Sequence, residues 1–273
     1  MTVRSRIALA GKGGTGKTTV AAMVVRYLTQ ELGETVLAID ADPSSNLNMV
    51  LGLELEETVG DIREELLTEV QSAATAGSGA LAGGLASGMS KADYFDYHIR
   101  MSTVEGDGVD LIAMGRPEGP GCYCAANNVL RTVMDRISTN YDYIVMDNEA
   151  GLEHLSRRTT RDVDILLTVS DPTQRGMVAA KRVTELVKEL DITVGRRYLI
   201  LNRFPGGDEL PLALQEAIDA VDAEFLGVVP YDATMTEFEF TGRPLIELDG
   251  DSPVYQAVRK MIKRALADQG DGA

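Results

Sequence analysis

Positive charge is scarce in this 273-residue chain: 26 lysines and arginines stand against 42 aspartates and glutamates, a formal net charge of −16. A surface that acidic repels nucleic acid and anionic lipid, and no basic patch stands out to override it, so neither nucleic acid nor membrane is expected as a partner. Arg157, Arg158 and Arg161 lie close together and read as a solvated or partner-facing helix surface. Cysteine is scarcer still. Cys122 and Cys124 are too few and too near each other for a disulfide framework. Long apolar runs are missing too, since none approaches the ~18–20 residues of a membrane span. The first strand is expected within a few residues of Met1, which leaves no room for a targeting peptide ahead of it, and a cytoplasmic protein is expected. There is no internal repeat.

What is present is a hydrophobic fraction of 44% and a charged fraction of 25%, ordinary for a globular protein with a full core. Apolar runs at Ile7–Ala10, Val36–Ile39, Val109–Ala113, Tyr143–Met146, Asp164–Val169, Tyr198–Leu201 and Leu226–Val229 read as strands. Several are continuous rather than alternating, as strands covered on both faces are. Helical stretches are expected at Lys17–Leu32, Asn127–Ser138, Thr173–Leu190, Pro211–Ala223 and Pro253–Ala267. The alternation predicts an α/β fold in one domain spanning 1–273: a doubly wound, mostly parallel sheet with helices on both faces. Ligands then bind at the carboxyl ends of the strands. Residues 72–90, rich in Ala, Gly and Ser, break the rhythm and read as a flexible insert, a surface loop or a partner-docking lid. In the last helix Tyr255, Val258, Met261, Ile262 and Leu266 recur at helical spacing. An acidic tail follows them, which favours core packing over a membrane-surface anchor.

The most informative octet is Gly-Lys-Gly-Gly-Thr-Gly-Lys-Thr at residues 11–18. Gly11, Gly16, Lys17 and Thr18 satisfy the phosphate-loop pattern between a strand and a helix. Gly13, Gly14 and Thr15 complete a loop whose N–H groups turn toward one anion, and the helix N-terminus, where Thr19 follows, adds partial positive charge. Lys17 is placed to reach the β- and γ-phosphates, and the Thr18 hydroxyl to hold Mg²⁺. Gly11, Gly13 and Gly16 also fit a dinucleotide fingerprint, with Asp40 closing the next strand. Lys-Thr after the last glycine and a second acid-terminated strand ending at Asp147 have no use in that reading. ATP with Mg²⁺ is the expected cofactor, and phosphoryl chemistry the expected reaction.

Lys12 is redundant within an ordinary phosphate loop. With it, the octet resembles the deviant phosphate loop of the Min/Mrp/nitrogenase-iron-protein class of ATPases. That resemblance implies a homodimer closing face to face over two nucleotides, with Lys12 crossing to the partner's phosphates as an arginine finger would. Asp40-Ala41-Asp42-Pro43 resembles the class's first switch, implying that Asp42 positions the attacking water and Asp40 supports Mg²⁺. Asp147-Asn148-Glu149-Ala150-Gly151 resembles the second switch, with Asp147 on the Mg²⁺ hydration shell. Many members carry proline where this chain has Glu149, so no role is carried over to that residue. Asn202 and Arg203 resemble the adenine-contacting pair, and Pro230, Tyr231 and Asp232 the backbone contacts to the base.

Cys122-Tyr123-Cys124 precedes a helical stretch, and thiols near a helix N-terminus favour the metal-binding thiolate. One pair supplies two soft ligands where Zn²⁺ takes about four, so a dimer axis through this motif would assemble a complete set. No cysteine accompanies Asp147, which disfavours the cluster-carrying reductases of the class. The octet, the Cys-Tyr-Cys motif and residues 146–159 together resemble the CooC-type nickel-insertion ATPases. The resemblance implies a metallochaperone that carries Ni²⁺, or Zn²⁺ as competitor, on Cys122 and Cys124. Its client would be carbon monoxide dehydrogenase or acetyl-CoA synthase. Affinity order alone does not select nickel. His154 is read as a surface or hydrogen-bonded histidine, with a part in metal transfer as the alternative. The competing reading is a nucleotide-switched positioning ATPase in which the cysteines are incidental.

Overall fold

The computed structural model describes residues 3–75, 90–115, 136–148, 162–190, 192–206 and 209–270. Its centre is an eight-stranded sheet in the order β3-β4-β2-β5-β1-β6-β7-β8. The strands are β1 (Ser5–Ala10), β2 (Val36–Asp40), β3 (Val104–Glu105), β4 (Val109–Ala113), β5 (Tyr143–Asp147), β6 (Asp162–Ser170), β7 (Thr193–Phe204) and β8 (Glu224–Pro230). All seven strands expected from the apolar runs are present. The eighth is the two-residue edge strand β3, among the described residues the one antiparallel partner in the sheet.

Every residue of β2 and β5 is buried, which explains why those segments read as unbroken apolar runs. Alternate side chains enter different cores. Ile7 and Leu9 of β1 face a core shared with α1 (Lys17–Arg26) and the carboxy-terminal α8 (Pro253–Gly270). Ala8 and Ala10 face the opposite core, with α3 (Val59–Thr75), α4 (Lys91–Ser102) and α5 (Gln174–Glu189). A third cluster joins α5 and β7 to α6 (Leu212–Asp219). Tyr255, Val258, Met261 and Ile262 of α8 are all buried, so this helix packs on the core as its spacing implied.

The helix expected to run unbroken to Leu32 changes its winding at Tyr27, where a π-helical turn spans Tyr27–Glu31. Three helices between the phosphate loop and β4 were not anticipated: α2 (Leu47–Leu51), α3 and α4. The α7 helix (Ala233–Thr241) was also missed. Residues 72–75, placed at the start of the flexible insert by composition, are instead the last turn of α3. The rest of that insert, up to Met89, lies outside the described residues, as do Asn127–Asp135 of one expected helix. Among the described residues no helix is long and apolar enough to cross a membrane.

Candidate functional site

All the motif residues that the structure describes gather at the carboxyl edge of the central strands. β1 lies between β5 and β6, and its chain turns directly into the loop at 11–16. Gly11 has φ 147°, and a Cβ there would stand 2.1 Å from the carbonyl oxygen of Val169. Gly16 has φ 84°, and its Cβ would meet the Asn202 amide nitrogen at 2.2 Å. Only glycine fits either place. α1 then starts at Lys17 with no side-chain cap. Its first backbone N–H groups are therefore available to an anion.

Lys17 and Thr15 are buried within the loop. The Lys17 ammonium donates to the Lys12 carbonyl at 3.2 Å, and the Thr15 hydroxyl donates to the same oxygen at 2.9 Å. Lys12 itself is exposed, as are Gly13 and Gly14. The Lys12 carbonyl helps to close the loop while its side chain is left exposed.

Two carboxylates flank the loop on one side. Asp40 and Asp147 are direct register partners on β2 and β5, and both are about 1% exposed. Burial pushes the Asp147 carboxyl up to about 7 and the Asp40 carboxyl up to about 6, each reinforced by neighbouring acid. The Thr18 hydroxyl donates to Asp147 Oδ2 at 2.6 Å, while Asp147 Oδ1 is buried with no partner. Asp40 is used structurally: it accepts from the backbone N–H groups of Leu47 at 2.9 Å and Asp42 at 3.1 Å. An oxygen-rich corner with an unsatisfied carboxylate atom next to a hydroxyl fits Mg²⁺, a hard cation that takes few protein ligands beside phosphate and water. Asp42 is half-buried and accepts from Ser44 N–H at 2.8 Å.

On the other side the loop is braced by β7. Asn202 donates its amide to the Thr15 carbonyl at 2.8 Å and accepts from Arg203 N–H. Arg203, at φ 56°, reaches the Gly14 carbonyl. Thr19, Asn202, Arg203, Pro230, Tyr231 and Asp232 line a pocket of about 170 Å³ beside the loop. All of these but Thr19 are residues expected to surround the base. Met235 and Glu239 of α7 also line it, and Glu239 lies 3.5 Å from the Arg203 guanidinium. Sequence reasoning missed both because α7 was not foreseen. A larger groove of about 610 Å³, between Gly195–Tyr198 and Asp219–Glu224, opens at the amino-terminal edge of the sheet, away from every described motif residue. Cys122, Cys124, Glu149 and His154 lie outside the described residues. Among the described residues no cluster of three or more His, Cys, Asp or Glu is placed to hold a metal.

Residues 7–245 match the family of the CobQ/CobB/MinD/ParA nucleotide binding domain. The chain belongs to this family. It is an ATPase of the MinD/ParA class. An uncharacterised ATP-binding protein of Methanocaldococcus jannaschii is 38% identical over 95% of this chain and 98% of its own. The carbon monoxide dehydrogenase accessory protein CooC of Rhodospirillum rubrum is 29% identical over 97% of each. The solved MinD cell division protein of Aquifex aeolicus superposes with a TM-score of 0.66 at 25% identity, covering 96% of this ATPase and 97% of MinD. The phosphate-loop geometry and the family agree, and the dinucleotide reading of the three glycines is set aside.

Proposed function

We propose that this ATPase is a metallochaperone, working in the cytoplasm as a homodimer, that carries nickel on Cys122 and Cys124 to carbon monoxide dehydrogenase or acetyl-CoA synthase. What supports the reading is end-to-end similarity to a carbon monoxide dehydrogenase accessory protein, combined with a Cys-Tyr-Cys motif in a chain that has no other cysteine. In this reading the N–H groups of residues 11–19 and Lys17 bind the phosphates of ATP. Thr18 and Asp147, backed by Asp40, hold Mg²⁺, which supplies charge neutralisation at the phosphates. Asp42 orients the attacking water, and Lys12 acts on the partner's nucleotide. Asn202, Arg203 and Pro230–Asp232 hold adenine. Nucleotide binding closes the dimer, two cysteine pairs meet at its axis, and hydrolysis reopens it to release metal.

The test is equilibrium dialysis of Ni²⁺ and Zn²⁺ against wild type and a Cys122→Ser/Cys124→Ser variant, with dimer content followed in parallel. One ion per two chains is expected for wild type, with metal favouring the dimer by linkage, and loss of tight binding in the variant. Undiminished tight binding by the serine variant overturns the reading. The second reading, a positioning ATPase, is favoured by the likeness to MinD. It predicts a nucleotide-dependent dimer indifferent to both cysteines.

A further inference from the structure

The residue after Asp147 is more constrained than its place in a switch sequence requires. Asn148 is fully buried, and its backbone N–H and its side-chain amide both donate to the Leu9 carbonyl, at 3.2 and 2.9 Å. The amide also approaches the Met146 carbonyl at 3.4 Å. Its Oδ1 is buried with no partner. Thr168 on β6 is likewise fully buried, and its hydroxyl is also without a partner. Ala10 pairs with Thr168 across β1–β6, and Leu9 pairs with Asp147 across β1–β5. Asn148, Ala10 and Thr168 therefore form one row over three strands. By alternation they project to the face that holds Ala8, Met146 and Leu166. The middle member is only a methyl group. An orphaned acceptor and an orphaned hydroxyl thus lie on the same face of the sheet, on either side of Ala10 and one residue before Gly11.

Burying two such atoms unsatisfied forfeits their hydration without any bond in return. Two strand spacings, about 10 Å between backbones, are too wide for a direct bond but suit one water held from both sides. We infer that Asn148 is a positioning residue for ATP hydrolysis: with Thr168 and a shared buried water it forms a bracket across Ala10 that holds Asp147 in register with the phosphate loop. Both amide bonds end on Leu9, so the bracket ties the strand carrying Asp147 to the strand that becomes the loop. Loosening it moves the Asp147 carboxylate relative to Thr18 while leaving the phosphate cradle whole. Its signature is a weakened response to Mg²⁺ rather than weakened binding of free nucleotide.

The experiment compares Asn148→Ala, Thr168→Val and Thr168→Ser with wild type. It measures the Mg²⁺ dependence of hydrolysis, the affinity for a fluorescent ATP analogue in Mg²⁺ and in EDTA, and thermal melting. Partners one step removed from a metal ligand change metal affinity by about 10–100-fold. Asn148→Ala is expected to need about tenfold more Mg²⁺ for half-maximal rate, with analogue affinity in EDTA unchanged. Thr168→Val is expected to shift in the same direction by less, and Thr168→Ser to behave as wild type. Should Asn148→Ala fail to fold, the near-isosteric Thr168→Val decides alone. Wild-type Mg²⁺ dependence in a folded Thr168→Val, or equal impairment of the Val and Ser variants, overturns the bracket.

Discussion

On the base side of the phosphate loop, Asn202 and Arg203 have their donors committed to the loop carbonyls of Thr15 and Gly14. On the acid side, Asp40 and Asp147 stand as register partners whose carboxyls burial has pushed upward, with Asp147 Oδ1 unpartnered. One side has its donors bonded within the protein; the other is assembled at a cost that a bound cation would offset. The contrast explains how one loop can bind a nucleotide rigidly yet sense its phosphate state. Anchoring comes from the satisfied side and response from the unsatisfied one.

Lys17 joins the two sides, because its ammonium rests on the loop carbonyl of Lys12 and also acts electrostatically on Asp147. Lys17→Ala is expected to lower hydrolysis by about 10³-fold or more, the scale of losing a cation at the transferred phosphoryl group. Steady-state phosphate release checks it, and normal turnover would remove the lysine from the site. Asp42→Asn tests the acid side alone. Hydrolysis should fall about 10²–10⁴-fold, the range for a positioned base, while ATP still binds because the base side is untouched. Single-turnover rates equal to wild type would assign the water to another group.

Gly16→Ala attacks the satisfied side. An alanine at φ 84° costs roughly 1–2 kcal/mol in backbone strain, and its Cβ would displace the Asn202 amide that lies 2.2 Å away. A melting temperature lowered by about 2–8 °C is expected, at about 2–4 °C per kcal/mol for a chain of this size, together with weakened nucleotide binding. An unchanged melt and affinity would show that the Asn202 brace does not organise the loop.

Much of this contrast was legible in the residues. The octet named the loop, and strands ending in Asp40 and Asp147 named the acid side, because buried strands write themselves as apolar runs and a terminal acid interrupts them visibly. The elements that escaped notice are those whose pattern contradicts their state. Ala233–Thr241 alternates apolar and polar residues as a strand would, yet it is helical. Asp232 caps it by accepting from Thr234 N–H, and Gly242 at φ 65° ends it. Both end signals were readable, whereas the periodicity carried no helical signal because only Phe238 of the helix is buried. α4 carried a similar signal, since Ser90 accepts from Asp93 N–H in an S-x-x-D pattern. Glu239 had no local signature at all. It enters the pocket beside the loop only because α7 brings it within reach of Arg203.

The smallest expected effect concerns pH. A carboxyl whose folded pKa lies above its unfolded value of about 3.9 binds its proton more tightly in the folded protein. The stability this contributes is fully present below about pH 4 and is lost as pH rises through about 6 for Asp40 and about 7 for Asp147. Ionisation of Asp147 is thus a penalty that the metal-free fold carries at neutral pH. An Asp147→Asn variant keeps the shape and discards that penalty. In EDTA without nucleotide, its melting temperature should gain on wild type by several degrees between pH 4.5 and 8, at about 2–4 °C per kcal/mol. Mg²⁺ added to ADP should raise the melt of wild type above that with ADP alone but leave the variant at its ADP-only value, because the variant has lost the charge that the cation neutralises. A melting difference that stays flat across this range would mean that Asp147 is already satisfied in the metal-free protein, and the two sides of the loop would then no longer differ in kind.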